Sequence, residues 1–69
     1  MSDTESLGQA FPKEQARCRE LLVYYREIGP AAQFGLLMIE AVLKRADQAA
    51  ISGDLIAMLQ SFQELKGCA

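Results

Sequence analysis

Two short breaks decide what this chain can fold into. In "REIGPAAQFGLLMIE" the pair Gly29-Pro30 separates two runs with helical spacing, and in "ISGD" Gly53 and Asp54 separate the second run from a third. Glycine adopts the positive-φ conformation that helices often need just past their ends. Proline disfavours helical geometry in the residue before it and can itself open a helix. The expected fold is all-α: three helices in up-down-up order, a helical hairpin with a long central helix and one more helix after it. Gly29 is expected to take a left-handed conformation, and Asp54 to cap the third helix through its carboxylate.

The first run, Lys13 to Ile28, puts Cys18, Leu21, Leu22, Tyr25 and Ile28 on one stripe, while Val23 and Tyr24 fall beside it. Residues 1–11 are polar, small and without period, so they are expected to form a flexible arm. That leaves a single helical domain over 12–69, with Pro12 in its first turn. The second run, Pro30 to Ile51, should span about 30 Å. It carries two apolar lines, Phe34, Met38, Val42 and Ala49 on one, and Leu36, Ile39, Leu43, Ala46 and Ala50 on the other. Leu37 interrupts its polar face, where Glu40 and Lys44 are spaced for an ion pair. The third run, Leu55 to Lys66, aligns Leu55, Met58, Leu59, Phe62 and Leu65. Gly35 lies inside the second helix, at a cost of roughly 1 kcal/mol against alanine. A close approach by a large side chain such as Tyr25 would account for it.

Several chemistries find no foothold. The chain has 69 residues with 7 basic and 9 acidic, net charge −2, whereas a nucleic-acid binder is usually clearly basic. Arg17, Arg19 and Arg26 are interleaved with acids. There is no histidine, the commonest general base and metal ligand. The Gly29–Gly35 stretch lacks the spacing of a phosphate-binding loop and no Lys-Ser or Lys-Thr pair follows it. The carboxylates Glu14, Glu20, Glu27, Glu40 and Asp47 look like helix-surface charges. Met38 and Met58 sit at core spacing, and Ser6, Ser52 and Ser61 have no base partner. Neither an enzyme nor a cofactor or metal site is expected. The start, "MSDTESLGQAFP", is acidic without an apolar core segment, so no signal peptide is expected and the cytoplasm is the expected location.

What remains is apolar surface in excess of one small core. A three-helix unit should cover one line of the second helix and leave the other. We therefore expect a homodimer with Leu36, Ile39 and Leu43 near its two-fold axis, and a partner protein engaging the off-stripe residues Tyr24 and Leu37. The two cysteines are expected to be free thiols. If the third helix ends level with Ile28, Cys18 lies about 15 Å away along the first helix. That is too far for a bond to Cys68, because a disulfide needs Cα atoms within roughly 7 Å.

The block from Cys18 to Cys68, chiefly "IGPAAQFGLLMI" and "SGDLIAMLQSFQELKGC", resembles small helical proteins encoded in phages and prophages of proteobacteria. In length and layout it is similar to the anti-quorum-sensing proteins of Pseudomonas phages. The resemblance implies a small helical dimer in the host bacterial cytoplasm. Such a protein would bind a LuxR-type quorum-sensing activator, block its DNA binding and act also on the type IV pilus extension ATPase. It assigns no contact residues here. Two alternatives stand beside it: a counter-defence inhibitor of a nuclease complex, and a sponge that holds a nucleotide signal at the helix N-terminus near Gly29.

Overall fold

The computed structural model describes residues 6–68, and the expected arm before Ser6 lies outside them. Three helices are present among the described residues: α1 (Leu7–Ile28), α2 (Gln33–Ser52) and α3 (Leu55–Gly67), with a 3-10 turn, Pro30–Ala32, between α1 and α2. No described residue is in a strand. The all-α, three-helix fold follows the two breaks.

The N-terminus differs from the expectation. Residues 7–11 are not an arm: they are the first turns of α1. Ser6 caps the helix, its hydroxyl accepting from Gln9 N–H at 3.2 Å, while the Gln9 side chain accepts from Ser6 N–H at 3.3 Å. This is a capping box, which satisfies two orphan donors reciprocally. Pro12 therefore lies inside the helix, not in its first turn. The proline removes one backbone bond. What holds the segment helical regardless is Phe11, which is 1% exposed and stacks on Phe62 of α3 with ring centroids 6.3 Å apart.

Both corners use glycine at positive φ. Gly29 closes α1 at φ 92°, ψ −149°, its N–H donating to Tyr25 C=O. This is not the left-handed helical region but a more extended one that only glycine occupies comfortably. Gly53 is left-handed at φ 71°, ψ 19°, and Asp54 accepts from Ala57 N–H at 3.1 Å. Valine at Gly29 is expected to cost about 1–3 kcal/mol in a denaturant titration. An unchanged midpoint would show that the corner can relax into an ordinary conformation.

The core runs between all three helices through Phe11, Cys18, Leu22, Ile39, Val42, Leu43, Ala46 and Leu65, with Tyr25, Leu36, Met58 and Phe62 packed against it. Polar seams fix the helices' mutual register. Asp47 of α2 accepts from Gln15 at 2.8 Å and pairs with Arg19 at 2.6 Å, both on α1. Glu40 pairs with Arg26 at 3.2 Å, not with Lys44 as its spacing suggested. Arg45 pairs with Glu64 across α2 and α3 at 3.1 Å. These pairs are exposed and individually worth little.

On α3 Ser61 and Leu65 are buried and Met58 and Phe62 partly buried on the core side, while Leu55 and Leu59 are exposed. The helix is rotated from the expected orientation, with Leu65 fully buried, Phe62 stacked on Phe11 and Ser61 turned inward.

The level of α3 is the larger correction. It has 13 residues against 20 in α2, so running back from Gly53 it stops about 10 Å short of the first corner. Its end therefore meets the middle of α1, at Cys18, and not Ile28. The Cys18 thiol donates to Leu65 C=O at 3.5 Å. The separation expected between Cys18 and Cys68 is thus absent.

Candidate partner-binding face

The two apolar lines of α2 are both covered within one chain along most of its length. Leu43 sits in the seam with α1, beside Leu22 and Arg19. Val42 and Ala49 line concavities shared with α3. Ile39 and Leu43 are each 4% exposed. The expected two-fold contact through Leu36, Ile39 and Leu43 is therefore corrected. Ile39 and Leu43 are interior residues, and Leu36 is only partly buried while packing on that same core. The physical reason is that helices on two sides of α2 cover two lines at once.

Most of the uncovered apolar surface lies at the two ends, with Val23 of α1 and Leu59 of α3 exposed besides. At the first corner stand Tyr24 and Ile28 on the last turns of α1, and Phe34 and Leu37 on the first turns of α2, with Met38 beside them at the concavity that the end of α3 closes. Phe34 is 77% exposed, Tyr24 62% and Leu37 53%. The spacings are four residues on α1 and three and four on α2, so each helix presents its set on one side. Tyr24 and Leu37 are thus exposed at one end of the molecule, and so is Phe34, which the sequence offered only as part of an apolar line. At the other end, around the α2–α3 turn, Ile51, Leu55 and Ile56 are exposed.

Between α1, α2 and the end of α3 lies an open, mainly apolar concavity of about 390 Å³. Tyr25, Met38, Ile39, Val42 and Cys68 line it, with Arg45 and Glu64 at its margin. Its floor explains Gly35. A Cβ on Gly35 would stand 2.5 Å from Tyr25 Cε2, so the ring lies directly on the helix backbone. This is the close approach that the mid-helix glycine suggested.

No described group of three or more acidic, cysteine or histidine side chains is arranged to hold a metal ion. Among the described residues no helix is long and apolar enough to cross a membrane. Burial, together with the neighbouring Cys68 thiol, pushes the Cys18 thiol up from 9.0 to about 11. Thiolate is the reactive species, and a rise of that size leaves about 100-fold less of it near neutrality. Cys18 is also fully buried, whereas Cys68 is partly exposed. A labelling time course with a neutral alkylating reagent is therefore expected to modify Cys68 first and Cys18 at least about 100-fold more slowly. Equal rates would mean that the end of α3 is open.

No protein-family model matches the chain, and neither a curated protein nor a solved structure does.

Proposed function

We propose that this protein is a non-enzymatic inhibitor that acts by binding a host regulatory protein through the first-corner face. The observation that carries a binding role is the set of large apolar side chains, Tyr24, Ile28, Phe34, Leu37 and Met38, each exposed on the turns that flank the α1–α2 corner. Exposed apolar side chains gathered at one end of a small domain mark an interaction surface, and tyrosine and phenylalanine are enriched in interface cores. The target proposed is a LuxR-type transcriptional activator, with the type IV pilus ATPase as a second. Its support is the resemblance of the Cys18–Cys68 block to phage-encoded helical proteins. The net charge of −2 agrees with occlusion of a basic DNA-facing surface.

The experiment is a pull-down from host lysate followed by a gel shift. One stoichiometric activator should be captured, and adding the protein should release that activator from its operator without degrading it. Leu37→Glu and Tyr24→Ala should keep the helical circular-dichroism spectrum and weaken capture by at least tenfold each, as expected for residues central to an interface. A ternary complex with DNA retained would refute occlusion. Capture of nuclease-complex subunits would move the target to host defence. A thermal-shift response to cyclic nucleotides would replace the binding reading with a nucleotide sponge.

The homodimer belongs to the same proposal. With Ile39 and Leu43 interior, we place its two-fold contact on the opposite end, where Ile51, Leu55 and Ile56 are exposed and a symmetric pairing would cover the same patch twice. Light scattering at micromolar concentration should give twice the 7.6 kDa chain mass. A monomer there would rule the dimer out.

A further inference from the structure

We propose that Cys18 and Cys68 form a reversible disulfide that staples the C-terminal end of α3 to the middle of α1. The two residues lie 50 positions apart in sequence, yet the fold brings both thiols to the last carbonyls of α3. The Cys18 thiol donates to Leu65 C=O and the Cys68 thiol to Glu64 C=O, each at 3.5 Å. The same Leu65 oxygen also accepts from the Cys68 backbone N–H at 3.1 Å. Cys68 packs against the core cluster that contains Cys18.

A second, independent feature holds the pair together. Arg17, the neighbour of Cys18 on α1, donates to Leu65 C=O at 2.6 Å and to Cys68 C=O at 2.9 Å. Glu14 fixes the same guanidinium through two bonds, at 3.0 and 3.1 Å. Arg17 thus ties down the residue that would otherwise be a loose end past the helix. Its Nη2 also stands 3.9 Å from Cys18 Sγ, where a cation favours thiolate as the proton leaves.

The exposure of the two thiols orders the chemistry. Cys68, partly exposed, meets the oxidant, which we take to be a small-molecule disulfide of the glutathione class. The Cys68 thiolate attacks one sulfur of that disulfide, forming a mixed disulfide and expelling one small thiolate. Cys18 gives its proton to the first expelled thiolate as it attacks the Cys68 sulfur, and the second small thiolate leaves. Two protein thiols and one small disulfide become one protein disulfide and two small thiols, which take up both protons. A reducing thiol reverses both steps.

The bond would close a loop across nearly the whole fold and fix Cys68 at the rim of the concavity floored by Tyr25. Cross-links of this span restrict the unfolded chain strongly. The test is to equilibrate the full chain in glutathione buffers from reducing to oxidising and digest it under thiol-blocked conditions for mass spectrometry. The expected result is a Cys18–Cys68 cross-link within one chain and a rise in melting temperature of about 10 °C or more, both reversed by dithiothreitol. Cys68→Ala, which leaves the core intact, should show neither. The proposal is overturned by glutathione retained on Cys68 with Cys18 free, by a Cys68–Cys68 link between chains, or by an oxidised form that melts no higher than the reduced one.

Discussion

Phe11→Ala is expected to remove about 3–5 kcal/mol, the range for truncating a buried aromatic residue. The ring is 1% exposed and stacked on Phe62, and Phe62 in turn carries Lys66 over its face at 5.5 Å. A domain of this length has roughly 3–10 kcal/mol in total, at about 0.05–0.15 kcal/mol per residue. The variant should therefore melt about 12–40 °C lower, or be unfolded at 37 °C, taking about 4–8 °C per kcal/mol. Thermal unfolding followed by circular dichroism reads this directly. A shift below about 5 °C would mean that residues 7–11 form an arm after all and do not pack as the first turns of α1. Ser6→Ala isolates the cap alone and should cost only about 1 kcal/mol.

Gly35→Leu carries the second large effect, because two terms oppose each other there. Leucine in a helix interior is favoured over glycine by just under 1 kcal/mol. Against this, its Cβ would stand 2.5 Å from Tyr25 Cε2 before the rest of the side chain is placed. Overpacking of this kind costs about 1–3 kcal/mol and sometimes more, so with the 2.5 Å approach at the upper end the clash should win, with a net loss of up to about 2 kcal/mol. The pairing can be checked by a double-mutant cycle. Tyr25→Ala removes the ring, and in that background Gly35→Leu should become neutral or stabilising. If the loss at Gly35 is the same with and without Tyr25, the contact is not its cause.

The elements themselves were legible from local rules. Gly29-Pro30 and Gly53-Asp54 stop and start helices through their own backbone chemistry, and Asp54 caps α3 as its position suggests. Gly35 was legible for a similar reason, since a costly glycine points to a neighbour that needs the space. The N-terminal turns were not. The S-x-x-Q capping pattern was present from Ser6 to Gln9, but Gly8 and Pro12 outweigh it locally. Only Phe62, fifty-one residues further on, makes helix the better choice for Phe11.

For the candidate face, periodicity found Tyr24 and Leu37 because both break a stripe on their own helix. It missed Phe34, which obeys a stripe but lies where no helix arrives to cover it. It also misplaced Ile39 and Leu43, because the number of neighbours around α2 is not a property of α2. The thiols were misjudged on the same ground. The distance from Cys18 to Cys68 depends on where α3 ends against α1, which is set by a difference of helix lengths and not by either cysteine's surroundings in sequence.

By itself, then, the sequence determined where the helices break and which positions are apolar, because backbone stereochemistry and hydrophobic period act over a few residues. The tertiary structure decided the rest. It placed the shortest helix so that one corner is left bare. It drew Phe11 into the core and brought two distant thiols to adjacent carbonyls, because burial and register are settled only when separate segments meet.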